Sequence, residues 1–196
     1  MRGVIAGILL AAGAARRFGS QKLLARLPDG RRVVEVSAEN LRAAADRVIA
    51  VTRDDRELIQ VLENCGCEIV VNPQADDGMG NSIAAGVAAS RDAAGWLIAL
   101  GDMPFLLPAT IADIAATLER DGGIVVPTHH GQRGHPVAFS SVFGSALEAL
   151  HGDTGARGLV ASHPETVTLL PVEDDGVVAD VDNPEDLPTY SRRHLP

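Results

Sequence analysis

Residues 8–24 read I-L-L-A-A-G-A-A-R-R-F-G-S-Q-K-L-L, and the reading of this stretch decides the rest. An apolar run over residues 4–10 gives way to small residues, then to Gly13, Arg16, Arg17, Gly19 and Lys22. The pattern predicts a short buried strand and then a loop almost without side chains until its cations. Gly13 and the neighbouring Ala11, Ala12, Ala14 and Ala15 let a ligand come close to the backbone amides. Arg17 and Lys22 add positive charge at the far end. Inward-facing amides with Arg and Lys beyond them suit a polyphosphate. The spacing fits neither common glycine fingerprint: Gly13 to Gly19 is not G-x-G-x-x-G, and no Gly-Lys pair follows. On residue chemistry alone, a Gly/Ala-rich turn with a solvated Arg pair stays open.

Around this stretch the chain has 196 residues, the size of one domain, taken as 1–196. Apolar residues are 46% of it, enough for a sizeable core, and aromatics only 3%, so that core is built from Ala, Val, Leu and Ile. Acids outnumber bases 26 to 17, and the net charge of −9 argues against nucleic acid or an anionic membrane as partner. An anionic substrate needs a local cation cluster, which residues 16–22 supply. No apolar run is long enough to span a bilayer. The first residues carry one Arg and run straight into the glycine loop, unlike a signal peptide, so a cytoplasmic protein is expected. Cys65 and Cys67 form C-G-C, too short for a zinc pair, and read as two reduced thiols at a helix-to-strand turn.

Apolar runs alternate with helical patterns. Strands are expected over 4–10, 47–52, 68–71, 96–100, 124–126, 137–140, 167–171 and 177–181. Helices are expected over 34–45, 54–63, 81–90, 108–120, 141–150, 154–162 and 184–193. Near-continuous apolar strands between helices predict an α/β fold with a mostly parallel, mixed sheet covered on both faces: a Rossmann-like three-layer domain. In such sheets ligands sit at the carboxyl ends of strands, which groups the loops after Leu10, Val71, Leu100 and Val181.

Those loops carry the remaining motifs. Residues 72–83, N-P-Q-A-D-D-G-M-G-N-S-I, put Gly78 and Gly80 before a helix with Ser82 in its first turn. That suits an anion or a base edge, or simply a surface loop capped by Asn81. In L-G-D-M-P, residues 100–104, Gly101 gives room and Pro104 stops the strand, so Asp102 is presented at the sheet edge. A carboxylate there either holds Mg²⁺, which favours oxygen ligands, or caps the next turn. In D-V-D-N-P-E-D-L, residues 180–187, Asp180 and Asp182 alternate on the expected strand and point to one side, while Glu185 and Asp186 suit a helix dipole. Two further blocks are R-G-H-P-V at 133–137 and G-D-T-G-A-R at 152–157. His129, His130 and His135 otherwise read as a polar hairpin tip.

The first loop, L-A-A-G-x-x-x-R-x-G-x-x-K, occupied by Leu10, Ala11, Ala12, Gly13, Arg17, Gly19 and Lys22, resembles the signature of nucleotidyltransferases that activate small molecules. Within them the chain is most similar to the molybdenum cofactor cytidylyltransferase family, in the MobA-like superfamily, over residues 4–187. The resemblance implies the nucleotide-diphospho-sugar transferase type of fold. It assigns Leu10, Ala11, Ala12, Gly13, Arg17, Lys22, Asn72, Pro73, Gly78, Met79 and Ser82 to the nucleotide. It assigns Asp102 and Asp182 to Mg²⁺, and His135, Pro136, Asp153 and Arg157 to the acceptor. Arg17, Lys22 and Asp102 would be catalytic. G-D-T-G-A-R and the A-A-G of the first loop favour the cytidylyl branch over the guanylyl one. Asn183 stands where the family has Thr, and Arg16 where it often has Ser.

The implied reaction moves CMP from CTP to the phosphate of molybdopterin carrying molybdenum, releasing pyrophosphate. The partners are then CTP or another nucleoside triphosphate, an anionic phosphorylated acceptor, and a molybdoenzyme or its chaperone, with no nucleic acid and no membrane. Two alternatives stand beside it: the same transfer to another acceptor such as a sugar phosphate, and a non-catalytic nucleotide- or cofactor-binding chaperone.

Overall fold

Runs of Val, Ile and Leu separated by helix formers build one mixed sheet in the computed structural model, which describes residues 3–13 and 22–189. In chain order the elements are β1 (Ile5–Leu10), α1 (Val33–Arg42), β2 (Arg47–Thr52), α2 (Arg56–Asn64), β3 (Glu68–Val71), α3 (Met79–Ala88), β4 (Gly95–Leu100) and α4 (Pro108–Asp121). After them come β5 (Ile124–His129), β6 (Gln132–Arg133), β7 (Val137–Ser140), α5 (Gly144–Glu148), α6 (Arg157–Ser162) and β8 (Val167–Pro171). The eight strands lie in the order β3-β2-β1-β4-β7-β5-β6, and β8 also pairs with β5. β1 is parallel to β2 and β4, β2 to β3, and β5 to β8. β7 runs antiparallel between β4 and β5, and β6 returns antiparallel beside β5.

Alternation along each strand sorts the side chains into two cores. On one face Ile5, Leu9, Val48, Ala50, Leu97 and Ala99 meet α1, α2 and α4 through Ala38, Leu41, Leu62, Ile114 and Leu118. On the other, Ile8, Ile49, Val51, Trp96, Ile98 and Phe139 meet α3 and α5 through Ile83, Val87 and Leu147. Three layers follow from this two-sided burial, as expected. Trp96, 2% exposed, donates its indole N–H to the Ser90 hydroxyl at 3.0 Å, so its one polar atom is satisfied. Helices sit tightly on the sheet where side chains are missing: a Cβ at Gly86 would lie 2.5 Å from an Ile8 methyl. Pro108 opens α4 at its first turn, where its fixed φ fits.

Several elements differ from their expected form, each for a local reason. No strand forms over 177–181. The Asp174 side chain accepts the Gly176 N–H at 2.9 Å and starts a 3-10 turn, Asp175–Val178, before the chain continues irregularly. Asp180 and Asp182 therefore do not alternate on a strand. The helix expected from Thr154 starts only at Arg157, because Gly152 and Gly155 take φ of +70° and +56°, which a right-handed helix excludes. α3 starts two residues early at Met79, with Gly78 rather than Asn81 before it. The described part of the closing helix is a 3-10 segment, Pro184–Thr189. Cys65 and Cys67 are free thiols that flank the turn between α2 and β3, and burial, the largest cause, pushes them up to about 11 and about 12. No helix among the described residues is long and apolar enough to cross a membrane.

Candidate functional site

Loops from four parallel strands converge at the carboxyl edge of the sheet and are first joined by backbone. The Ala11 N–H donates to the Val51 carbonyl at 2.8 Å, Gly101 to Leu10 at 3.0 Å, and Asn72 to Thr52 at 2.8 Å. The Val181 N–H donates to the Asp102 carbonyl at 2.9 Å, which brings residues from the far end of the chain to the same edge. Asp186 holds them there. One carboxylate oxygen accepts the N–H groups of Asp182 at 2.9 Å and Asn183 at 2.7 Å. Asp186 was expected only to suit a helix dipole, yet an acid three residues after Asn183 is the spacing of a capping box, and that signal was readable.

Asp102 and Asp182 meet, and they meet on Lys22. Its ammonium lies 2.8 Å from Asp102 Oδ2 and 3.0 Å from Asp182 Oδ1. Burial pulls the Lys22 pKa down, but hydrogen bonds and charge from both aspartates outweigh it and hold the group above the ordinary lysine value. Lys22, expected against phosphates, is thus engaged with the two carboxylates. The second oxygen of Asp102, Oδ1, is buried and has no hydrogen-bond partner. An orphaned carboxylate oxygen beside a second carboxylate suits a hard cation. Among the described residues no group of three or more His, Cys, Asp or Glu could hold a metal ion, so a cation here would take its remaining oxygens from water or a bound ligand. Asp180 lies nearby: burial first, then the charges of Asp182 and Asp102, push its carboxyl above the usual range.

A cavity of about 410 Å³ opens beside this cluster. Leu10, Ala12, Gly13, Gly78, Met79, Ser82 and Asp102 line it, as do Arg53, Ala75, Asp76, Leu100 and Asp153. Ala11, Asn72 and Pro73 are not in its wall. Ala11 is buried, Pro73 is exposed, and buried Asn72 works behind the wall, donating to the Ser82 hydroxyl at 3.1 Å and accepting from the Gln74 N–H at 3.0 Å. Arg16, Arg17 and Gly19 lie outside the described residues. Arg53 and Asp76 were not foreseen. Arg53 Nε donates to the Ala12 carbonyl at 2.6 Å, and its guanidinium pairs with Asp76 at 2.7 Å. The only signal for Arg53 was its position one residue beyond a strand end.

A second cavity, of about 530 Å³, adjoins the first and shares Met79, Leu100 and Asp153 with it. Its floor is apolar, with Ile83, Ile98, Val126, Val137 and Phe139, and Arg133, His135 and Arg157 stand around it. Pro136 is buried behind this wall and does not line it. Burial is the main cause that keeps the His135 imidazole below its ordinary pKa. A hydrogen bond to the Ile98 backbone and the Asp102 charge oppose it, and Arg157 reinforces it. His135 Nδ1 is buried without a hydrogen-bond partner.

The glycines after β3 serve this second wall. A Cβ on Gly78 would lie 2.2 Å from the Gly152 carbonyl carbon, and one on Gly80 2.8 Å from the His151 backbone. The Gly80 N–H donates to the Gly152 carbonyl at 2.8 Å, and the Asn81 side chain accepts the Gly152 N–H at 3.2 Å. The two glycine-containing blocks thus fit against each other, backbone to backbone.

Comparison with known proteins agrees with this architecture. The family described as the MobA-like NTP transferase domain matches residues 7–167. A protein named nicotine blue oxidoreductase, from Paenarthrobacter nicotinovorans, is 31% identical over 93% of this chain and 94% of its own. The molybdenum cofactor cytidylyltransferase of Escherichia coli is 26% identical over 95% of each. The crystal structure of the Rv0371c protein of Mycobacterium tuberculosis in complex with manganese is 29% identical, with a TM-score of 0.78 over 95% of this chain and 97% of that one.

Proposed function

This chain belongs to the MobA-like NTP transferase family, a family of nucleotidyltransferases, and we propose that it transfers CMP from CTP to the phosphate of molybdopterin carrying molybdenum. The observation that carries the reading is the pair of adjoining cavities. One is walled by the glycine loop and Asp102; the other has cations over an apolar floor, and the two share Met79, Leu100 and Asp153. A triphosphate in the first and a flat phosphorylated acceptor in the second would put the two reacting groups at the shared wall.

The attacking group is an acceptor phosphate oxygen, already ionised at neutral pH, so no side chain has to remove a proton. That oxygen bonds to the α-phosphorus, the bond from α-phosphorus to the bridging oxygen breaks, and pyrophosphate leaves with the electron pair. Catalysis of such a transfer is positioning and charge neutralisation. Arg133 and Arg157 would receive the acceptor phosphate, since a guanidinium fork matches its oxygens. Asp102 and Asp182 would hold Mg²⁺, and the orphaned Asp102 Oδ1 fits that assignment. When bound, the cation supplies charge neutralisation between phosphate oxygens. Lys22, freed from the carboxylates, would reach the triphosphate together with Arg17.

The test is Asp102→Asn, which keeps shape and removes charge. Pyrophosphate release from CTP and molybdopterin should fall by about 10²–10³-fold, the scale of losing one electrostatic contact to the transition state. A variant as fast as the wild type would falsify the role of Asp102. A second reading keeps the transfer and changes the acceptor. It is kept because a relative with another name, nicotine blue oxidoreductase, is more similar at 31% identity than the cytidylyltransferase at 26%, so similarity does not select the acceptor. Turnover of CTP with a sugar phosphate, and none with molybdopterin, would select it.

A further inference from the structure

We infer that Arg53 is a positioning residue that sets the gap between the two walls of the first cavity, and with it the discrimination between pyrimidine and purine triphosphates. The inference rests on the proposed nucleotidyl transfer. Its starting point is strand order: β2 lies between β3 and β1, so the end of β2 is flanked by both of the loops that wall the cavity. Three consecutive residues there tie the walls. The Val51 carbonyl holds Ala11, the Thr52 carbonyl holds Asn72, and Arg53 then extends a side chain that bonds to both loops.

The two contacts of Arg53 differ in what they fix. Nε takes the Ala12 carbonyl at 2.6 Å. In a trans peptide the N–H of the next residue points opposite to that carbonyl, so fixing Ala12 also aims the Gly13 amide. The terminal nitrogen takes Asp76 at 2.7 Å, and Asp76 lies in the 3-10 turn Ala75–Asp77 of the opposite wall. A planar guanidinium reaches two acceptors along fixed directions, so it works as a spacer of set length; a lysine would offer one flexible point of contact. The Asp76 hydrogen bond is the largest cause holding Arg53 above its ordinary pKa. The ion pair is part-exposed, and such pairs add little to global stability. Its effect is therefore expected in the spacing of the walls, where loop amides would meet the base.

The experiment measures CTP and GTP binding by calorimetry in the presence of Mg²⁺, together with kcat and KM, for wild type, Arg53→Gln, Arg53→Lys and Asp76→Asn. Arg53→Gln should weaken CTP binding and raise its KM by about tenfold, the scale of one charge-assisted hydrogen bond. Its preference for CTP over GTP should fall, with kcat at saturation and the melting temperature near wild type. Arg53→Lys should restore part of the affinity and less of the preference. Wild type that binds no nucleoside triphosphate overturns the nucleotidyl-transfer reading, and this inference with it. Wild type that binds while Arg53→Gln keeps the same CTP:GTP ratio overturns the Arg53 assignment alone. An equal loss for both nucleotides does the same. Should Arg53→Gln not fold, the ratio in Asp76→Asn, which retains the Ala12 bond, decides.

Discussion

An ammonium 2.8 Å from Asp102 and 3.0 Å from Asp182 does with one charge what a divalent ion would do with two. On the proposed reading Lys22 and a metal would compete for the same two carboxylates, and a triphosphate would resolve the competition by giving the lysine another partner. Lys22→Met should raise the affinity of the nucleotide-free protein for Mn²⁺ by about tenfold or more, as expected from removing a competing charge at contact distance, and should weaken CTP binding. Electron paramagnetic resonance of free Mn²⁺ reads the first effect without any turnover. Equal Mn²⁺ affinity in the two proteins would show that the ammonium does not guard the carboxylates. At this scale the sequence was informative where a residue ends an element. Asp102 could be placed because Gly101 and Pro104 mark the end of an apolar strand. The Lys22 pairing was not legible, since nothing local relates residues 22, 102 and 182, and only the folded chain brings them together.

The glycines of the loop between β3 and α3 were readable as glycines with a purpose, and the structure adds a packing role that the sequence did not show. They admit the 151–153 backbone, so the two cavity walls are one packed unit. Gly78, at φ +117°, is the sensitive position: an alanine there meets both a disfavoured backbone conformation and the Gly152 carbonyl group. Gly78→Ala should lose about 1–3 kcal/mol in urea unfolding, the cost of a strained non-glycine residue. It should also raise the KM for the acceptor, because Asp153 moves with that loop. A variant with wild-type stability and KM would mean the loops yield freely. The strand expected over 177–181 failed for a related reason. Its apolar letters satisfy a strand pattern, but the acids and glycine before them favour a turn, which the Asp174 side chain caps by accepting the Gly176 N–H.

Over the whole molecule, alternation of apolar strands and helices was enough to predict three layers and a largely parallel sheet. The antiparallel insertion of β7 between β4 and β5 was not, because a four-residue strand carries no direction in its composition. Global stability should depend on pH through His135. Its native pKa is lowered from 6.5, so below that value the unfolded chain takes up a proton that the fold refuses. Stability is then fully present above about pH 6.5 and declines as pH falls from there towards the native value. His135→Gln should flatten that part of the profile in urea titrations at several pH values, and an unchanged slope would remove His135 as its source.

The lone indole of the chain sits sealed near the start of its strand, with about 13 Å of extended backbone between Trp96 and Leu100 at the working edge. Its emission is thus a private optical gauge of the interior. It will shift when the protein melts and stay dark to whatever docks at the rim.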